Sequence, residues 1–322
     1  MVGKNKYLLM FILFLRIVFK NTHIMLFMLI ARRWFFIIVL FFTNSIVLGQ
    51  YLEIVDGVNI TNMIGDELSP KWSYDSKSLL FQSNVNGNSN LFIYQFDKDT
   101  TLYLSDSSFN FRNPVWHPDG DKIIFDSDTK GADYLYVLEL KTNKVKPLFD
   151  RVLNCKNPVF SNSSRQVYFT GLDVLTNQWE VYSYDFIYDN LNKLTDSKLG
   201  VSDPDINSNG KLIVYGVSNP FSESKKLEII NWYGDKVMLF DDFNARDASW
   251  GPLGLKVFFV SSMDGEKNEV YSIWKDGSHL ERLTNNNVGE ANPVVSPDGS
   301  KIAISVQTEQ GWDIFIFPFD EY

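Results

Sequence analysis

Apolar and polar residues follow a pattern that recurs six times after residue 50. The clearest copy runs from Asn113 to Phe125 and reads NPVWHPDGDKIIF. The second position of the six copies falls at Pro70, Pro114, Pro158, Pro204, Ala248 and Pro293. Successive copies are 44, 44, 46, 44 and 45 residues apart. A period of this length with strand-like content is typical of propeller blades.

Each copy predicts two β-strands joined by a turn. The proline opens the first strand, where its missing N–H costs no ladder hydrogen bond. Pro118-Asp119-Gly120 suits a turn because proline presets φ, Asp bonds its own backbone and Gly tolerates positive φ. The run Ile123-Ile124-Phe125 is short and rich in β-branched and aromatic residues, which predicts a buried second strand.

The rest of each period predicts two further strands. The third strands are expected at 91–94, 135–138, 181–184, 227–230, 270–273 and 314–317. The fourth strands are expected at 101–104, 144–148, 191–194, 236–240 and 280–283. No segment after residue 50 keeps a helical period without interruption by Gly or Pro. We therefore predict an all-β fold, a six-bladed β-propeller of four-stranded antiparallel blades.

The sixth copy is followed by only one more predicted strand, so its fourth strand must come from elsewhere. Thr61, Thr195 and Thr284 each lie nine residues before the second position of the next copy. The segment from Val58 to Thr61 therefore aligns with a fourth strand. We expect it to complete the last blade, a closure that removes open sheet edges.

The first 49 residues have a different composition, with six basic residues and no acidic residue. Arg32-Arg33, an apolar stretch and Val47-Leu48-Gly49 match the three regions of a signal peptide. We expect residues 1–49 to be a leader that is cleaved before Gln50, with an uncleaved membrane anchor as the alternative. Residues 50–322 then form one propeller domain of a periplasmic or secreted protein, which meets the membrane only through the leader.

Without the leader, the chain has 24 basic residues (30 − 6) and 39 acidic residues, a net charge of 24 − 39 = −15. This charge disfavours a nucleic acid partner, whose phosphates need positive charge. Cys155 is the single cysteine, so no intramolecular disulfide forms. We expect it to be a small buried residue rather than a reactive thiol.

The repeat resembles the TolB-type propeller family over residues 56–320. The residues that carry the resemblance are Val257 to Ser261, Asp264-Gly265, Glu269-Val270-Tyr271, Asp276-Gly277-Ser278, Arg282-Leu283-Thr284 and Ser296-Pro297-Asp298-Gly299. TolB proteins carry an α/β domain before the propeller, and we expect no counterpart of it here. Their propeller binds the peptidoglycan-associated lipoprotein. The resemblance therefore implies a non-enzymatic, protein-binding module of the bacterial cell envelope, with an envelope protein or peptide as partner.

Enzymes with related propellers define the alternative functions. Prolyl-oligopeptidase-like propellers precede a serine hydrolase domain, but this sequence has no Gly-x-Ser-x-Gly motif. Oligogalacturonate lyases bind a metal through histidines, whereas here His23 lies in the leader, His117 in a turn and His279 beside a turn. We therefore expect no catalytic, metal or cofactor site. Binding of polysaccharide or cell-wall fragments by aromatic side chains at the channel mouth stays open as a second function.

The residue before each proline position is polar in all six copies. These residues are Ser69, Asn113, Asn157, Asp203, Asp247 and Asn292. Since each begins an innermost strand, we expect them to form a ring at one mouth of the central channel. Either they stabilise the turn into the strand, or Asp203 and Asp247 make one side electronegative for a cation, an amine or a basic loop. Arg112, Lys156 and Arg246 flank this ring and offer it partners.

A second set of repeat-equivalent residues comes just before the third strands. It consists of Asn90, Tyr134, Glu180, Glu228, Glu269 and Asp313. We expect its acidic members to hold a loop or a neighbouring blade, with a ligand role as the alternative. The connections before the first and third strands emerge on the same face, which is the candidate binding surface.

Overall fold

The computed structural model describes residues 51–104, 109–129, 131–149, 154–218, 225–241 and 243–321. The predicted leader, residues 1–49, lies outside these ranges and stays a prediction. Within the described ranges, no helix is both long and apolar enough to cross a membrane. A short 3-10 helix, Ile54–Asp56, precedes the first strand.

The first and second strands of the six sequence repeats form antiparallel pairs. The first strands are β2 (Gly65–Trp72), β6 (Phe111–Trp116), β10 (Cys155–Phe160), β14 (Val201–Ile206), β18 (Ala245–Trp250) and β22 (Glu290–Val295). The second strands are β3 (Ser78–Asn86), β7 (Lys122–Ser127), β11 (Gln166–Asp173), β15 (Leu212–Ser218), β19 (Lys256–Ser261) and β23 (Lys301–Thr308). The first strands contain the proline position of the repeat, and the second strands contain its apolar run.

The third and fourth strands extend each pair outward. The third strands are β4 (Asn88–Gln95), β8 (Tyr134–Glu139), β12 (Gln178–Asp185), β16 (Lys225–Asn231), β20 (Glu269–Trp274) and β24 (Gly311–Pro318). The outer strands are β5 (Thr100–Tyr103), β9 (Lys144–Pro147), β13 (Asn190–Lys193), β17 (Lys236–Phe240), β21 (Glu281–Arg282) and, beside β24, β1 (Val58–Asn59).

The prediction of six separate four-stranded blades is wrong. Four sheets have four strands each, in the orders β6-β7-β8-β9, β10-β11-β12-β13, β14-β15-β16-β17 and β18-β19-β20-β21. The other eight strands form a single sheet, in the order β22-β23-β24-β2-β3-β4-β5 with β1 on β24. The fold is thus an all-β propeller with four separate four-stranded blades and one eight-stranded sheet.

A glycine pair lies where the two halves of the eight-stranded sheet join. The start of β2 runs parallel to β24, with Gly65 opposite Gly311 and Asp66 opposite Trp312. A Cβ on Gly311 would lie 2.0 Å from the Gly65 carbonyl oxygen. The two backbones come this close because Gly311 has no side chain. The glycine pair occurs only once in the six repeats, so the period did not predict the fused sheet.

The segment before β2 closes the structure as the threonine alignment predicted. In β1, Val58 pairs with Ile316 and Asn59 with Phe315 in antiparallel register. The Leu52 N–H donates to the Leu283 carbonyl oxygen at 2.7 Å. The first described residues therefore contact the outer strand of the fifth repeat as well as the sixth repeat.

The hydrophobic core lies between neighbouring sheets. Each cluster of buried apolar side chains combines two repeats that are consecutive in sequence, or the sixth with the first. Indole rings extend this contact, since Trp116 Nε1 donates to the Lys71 carbonyl oxygen and Trp72 Nε1 to that of Val294, both at 3.1 Å. The prediction for Cys155 is confirmed: it is buried, and burial raises its pKa to about 12.

Candidate functional site

A backbone irregularity marks the predicted ring in every repeat. The register between the first and second strands shifts there, for example between Arg112 and Val115. The ring residues all lie in the left-handed region: Ser69 (φ 56°), Asn113 (49°), Asn157 (53°), Asp203 (50°), Asp247 (54°) and Asn292 (49°). Asn and Asp are the residues most enriched in this conformation after glycine. Backbone geometry at a β-bulge therefore accounts for these residue types.

The structure brings the six ring residues together. All six line one cavity of about 80 Å³ at the end of the central channel where the first strands begin. We call this end the narrow mouth. Its rim is polar, and no aromatic side chain is among the described residues that line it.

Hydrogen bonds connect successive members of the ring. The Ser69 N–H donates to Asn292 Oδ1 at 3.2 Å, and the Asn292 N–H donates to Asp247 Oδ2 at 3.4 Å. Asn157 Nδ2 donates to Asp203 Oδ1 at 2.6 Å. The ring side chains therefore satisfy backbone and side-chain groups of adjacent repeats, in addition to their conformational role.

Second-strand side chains support the ring in the first and second repeats. Gln82 Oε1 accepts the Asn113 N–H at 2.7 Å, and Asp126 Oδ1 accepts the Asn157 N–H at 3.1 Å. Burial raises the pKa of Asp126 to about 6, although the Asn113 amide donates to the same carboxylate. This half of the narrow mouth is thus an internally bonded, rigid structure.

The two repeats that contain Asp203 and Asp247 have no such polar side chain on the second strand. The second-strand residues at the same register are Gly216 and Val260, which have no hydrogen-bonding side chain. Burial raises the pKa of Asp247, and the negative charge of Asp203 raises it further. Both carboxylates line the narrow mouth, and the charge of Asp203 disfavours ionisation of Asp247.

Two of the three flanking cations bind elsewhere. Arg112 Nε lies 3.3 Å from Asp126 Oδ2, and Lys156 Nζ lies 4.2 Å from the centroid of the Trp179 ring. The positive charge of Arg246 lowers the pKa of the neighbouring Asp247. Of the three flanking cations, Arg246 is thus the one whose charge acts on Asp247.

Acidic residues of the second polar set hold connecting loops in place, as expected. Glu180 accepts hydrogen bonds from the Thr195 hydroxyl and, at 2.8 Å, from the Ser197 N–H. Asp313 accepts one from the Thr61 hydroxyl at 3.0 Å. These carboxylates join a third strand to the outer strand beside it and to the connection that follows.

Sequence reasoning missed two charged residues inside the channel. Lys71 and Asp205 line both the narrow mouth and a cavity of about 350 Å³ at the opposite end, which we call the wide mouth. Asp205 Oδ2 accepts the backbone N–H of Trp250 at 2.7 Å. Burial raises the pKa of Asp205, and the charge of Lys71 lowers it. Alignment of the repeats could have found them, because a charged residue stands out at a position that is otherwise Val115, Val159, Ser249 and Val294.

The wide mouth is lined by indole rings, but these rings are not exposed platforms. Trp72, Trp116 and Trp250 are 6%, 8% and 6% exposed. Two of them, Trp72 and Trp116, donate to carbonyl oxygens of the neighbouring repeat, so they pack between sheets. Tyr74 is the exposed aromatic residue in the wall, at 45%.

A possible metal cluster not foreseen from the sequence lies in one turn. Ligand atoms of His117, Asp119 and Asp121 are within 4.8 Å of each other. The Lys122 ammonium lies 3.6 Å from Asp119 Oδ2 and 3.2 Å from Asp121 Oδ1. The Asp119 N–H donates to His117 Nδ1 at 3.2 Å. Lys122 therefore supplies the positive charge beside both carboxylates, and the predicted turn role of His117 accounts for the geometry.

Comparison with known proteins identifies the family. The family model of the TolB beta propeller domain matches residues 43–254, which is more than half of the chain. The chain belongs to the TolB beta propeller domain family. This assignment confirms the resemblance seen in the repeat motifs, while the separate blade count is corrected as described above.

Relatives of this TolB beta propeller chain include proteins of different function. The uncharacterized peptidase YuxL of Bacillus subtilis is 30% identical over 70 residues, which cover 22% of this chain and 11% of that protein. TolB of Acinetobacter baumannii is 16% identical, covers 80% of this chain and 65% of its own, and superposes with a TM-score of 0.58. Oligogalacturonate lyase of Vibrio parahaemolyticus is 12% identical, with 82% and 94% coverage and a TM-score of 0.57. At these identities the two structural likenesses show a shared fold.

Proposed function

We propose that this TolB-like propeller is an exported, non-enzymatic module that binds a protein or peptide of the cell envelope at the narrow mouth. The observation that carries the proposal is the pair Asp203 and Asp247. Burial, and then the charge of Asp203, raise the pKa of Asp247. The second strands of the same two repeats have Gly216 and Val260 where the other four repeats have polar side chains. A positive group from a partner would relieve their repulsion.

The chemistry of this site favours a basic partner segment. A Lys or Arg side chain, or a free N-terminal amine, would bring a positive charge to both carboxylates and donate hydrogen bonds to them. The formal charge of −15 for residues 50–322 (24 − 39) would steer such a partner toward the surface. The narrow cavity admits a side chain or a chain end rather than a folded segment.

The periplasmic or secreted location and the envelope partner are part of the proposal. They are supported by the leader-like composition of residues 1–49 and by membership of the TolB beta propeller domain family. A lyase or hydrolase is the weaker proposal, because the described residues that line the two mouths include no histidine. Glycan binding at the channel itself has little support, since the indole rings at the wide mouth are buried.

Affinity capture from envelope extract tests this function. The full-length gene, with a C-terminal tag, is expressed as wild type and as the double variant Asp203→Asn, Asp247→Asn. A second double variant, Asp97→Asn with Glu309→Gln, removes two charges at exposed positions as a control. We expect one envelope protein to co-purify with wild type and the control and to be lost with the ring variant. Equal recovery with all three proteins would place the interface elsewhere.

A further inference from the structure

Two neighbouring hairpin turns carry exposed apolar side chains on the wide-mouth side. In the β12–β13 turn, Ile187 and Tyr188 are 68% and 70% exposed; in the β16–β17 turn, Trp232 and Tyr233 are 43% and 69% exposed. The tips of the equivalent turns in the first, second and fifth repeats are Asp97-Lys98, Lys141-Thr142 and Asp276-Gly277. The repeat therefore does not require apolar residues at the tips, where Ile187, Tyr188 and Tyr233 lie. Trp232 lies one position earlier, and the equivalent residues in other repeats are Phe96, Leu140, Phe186 and Phe319. The adjacency of exposed apolar tips in two repeats indicates a binding surface.

Both turns are held rigid by one polar side chain each. Asp185 Oδ1 accepts the N–H groups of Ile187 and Tyr188 at 2.9 and 3.2 Å. Asn231 Oδ1 accepts the N–H groups of Tyr233 and Asp235, both at 2.9 Å. The exposed rings are thus presented by fixed backbones, which reduces the ordering entropy that a ligand must overcome.

A groove of about 690 Å³ lies between the β10–β11 and β14–β15 turns, beside Trp232 of the β16–β17 turn. Its neutral lining residues carry hydroxyl and amide groups and are Ser161, Asn162, Ser163, Gln166, Ser208 and Asn209. Asn162 Nδ2 donates to the Ser208 carbonyl oxygen at 2.8 Å, so the third and fourth repeats are bonded across it. Trp232 lines one side. We call this feature the inter-turn groove; its volume is within the roughly 300–1,000 Å³ of small-ligand sites.

The charged residues that line the inter-turn groove, within the described part of the chain, are both cations. They are Arg165 and Lys211. Arg165 Nε lies 2.8 Å from Asp185 Oδ2, and its guanidinium carbon lies 4.8 Å from the centroid of the Tyr188 ring. Tyr188 therefore lies against one lining residue of the groove. Because Arg165 is already paired with Asp185, Lys211 is the lining cation that indicates an anionic ligand.

We propose that the inter-turn groove binds a glycan strand that carries carboxylate-bearing sugars. The apolar C–H face of a pyranose ring would stack on Trp232, which lines the groove, as rings do on flat aromatic surfaces. The hydroxyl and amide lining would exchange hydrogen bonds with sugar hydroxyls, and Lys211 and Arg165 would attract the carboxylates. A protein partner would instead favour an apolar groove floor. This site is separate from the narrow mouth and does not depend on the proposed function.

Calorimetric titration of the full-length protein with defined oligosaccharides tests the proposal. The probes are alginate oligosaccharides, which consist of uronic acids, and dextran oligosaccharides of equal length, which are neutral. We expect alginate to bind more tightly than dextran and Trp232→Ala to weaken binding by about tenfold or more. Trp274→Ala is the matched control, because Trp274 is also exposed, at 36%, and ends the third strand of the fifth repeat. It is expected to leave binding unchanged.

A second variant tests the proposal without removing the Trp232 side chain. Lys211 is exposed, and Lys211→Gln is expected to lower alginate affinity severalfold and to reduce its dependence on salt. Unchanged melting temperatures of the variants confirm that they are folded. No alginate binding by wild type, equal binding of dextran, or an affinity unaffected by both Trp232→Ala and Lys211→Gln would each overturn the proposal.

Discussion

Thr61 and Asp313 are 252 residues apart in sequence, and the Thr61 hydroxyl donates a 3.0 Å hydrogen bond to Asp313 Oδ1. The same hydroxyl oxygen accepts the Ile314 N–H at 2.9 Å. Thr195 and Thr284 accept the N–H group of a third strand in the same way, at 2.9 and 2.8 Å. One threonine position thus joins outer and third strands in three repeats, and at Thr61 it attaches the segment before β2 to the last strand.

Substitution of Thr61 measures the strength of that attachment. Thr61→Val keeps the shape of the side chain but leaves the Ile314 N–H and one Asp313 oxygen without this partner. We expect the free energy of unfolding to fall by about 1–3 kcal/mol, the cost of buried polar groups that lose a hydrogen bond. Denaturant unfolding checks this value. Thr101→Val, on the exposed outer strand β5, is the control, and an equal effect of both changes would refute the structural role.

The glycine pair between β2 and β24 gives a second prediction. Gly311→Ala would place a methyl group 2.0 Å from the Gly65 carbonyl oxygen, at a φ of +136°. We expect the parallel pairing to break and the free energy of unfolding to fall by about 1–3 kcal/mol, as in overpacked sites. Thermal unfolding compares this variant with Gly265→Ala, where a Cβ meets no atom within 4 Å. If both variants melt at the wild-type temperature, the close approach has no energetic consequence.

Buried carboxyl groups predict how stability depends on pH. Burial raises the pKa of Glu67 and of Glu290 from 4.5 to about 7. The folded protein therefore binds protons near pH 6–7 that the unfolded chain has released, and each pKa unit of difference corresponds to about 1.4 kcal/mol. The free energy of unfolding is thus expected to increase as pH falls from 8 to 5.5. Melting temperatures across this range provide the measurement.

A variant assigns part of that pH dependence to one residue. Glu67 Oε1 accepts the Ser83 hydroxyl at 2.6 Å, and Glu67→Gln keeps this acceptor without the charge. We expect the variant to be more stable than wild type at pH 8 and to lose part of the pH slope. Glu53→Gln, at an exposed site, is expected to follow the wild-type curve. A slope that Glu67→Gln leaves intact would contradict this assignment.

The left-handed ring positions give a prediction about residue type. Ser69 has a φ of 56°, and its N–H donates to Asn292. Ser69→Gly keeps that backbone geometry and is expected to be nearly neutral, whereas Ser69→Val is expected to cost about 1–2 kcal/mol because β-branched residues resist this conformation. Equilibrium unfolding of both variants decides. Equal stability of the two would mean that the backbone conformation does not select the residue.

Features that recur in several repeats could be predicted from the sequence, whereas contacts that occur once could not. The ring and the closure at Thr61 recur in several repeats, so alignment was enough to place them. The fused sheet depends on Gly65 and Gly311, a contact between distant strands that occurs once. Lys71 and Asp205 were missed because half of the residues at their position are valine, which makes it look like an ordinary core position. The hydrogen-bond partners of the ring were missed because second-strand side chains differ between repeats.

Protein binding at the narrow mouth is tested most directly by photo-crosslinking in living cells. The residue Arg246, half-buried beside Asp247, is replaced by p-benzoylphenylalanine; the same replacement at Leu253, in a turn on the wide-mouth side, is the control. Crosslinked species are identified by mass spectrometry. Our account predicts a crosslink from position 246 to an envelope protein, which disappears with Asp203→Asn, Asp247→Asn and does not form from position 253. A protein crosslinked only from position 253, or no crosslink from position 246, would contradict it.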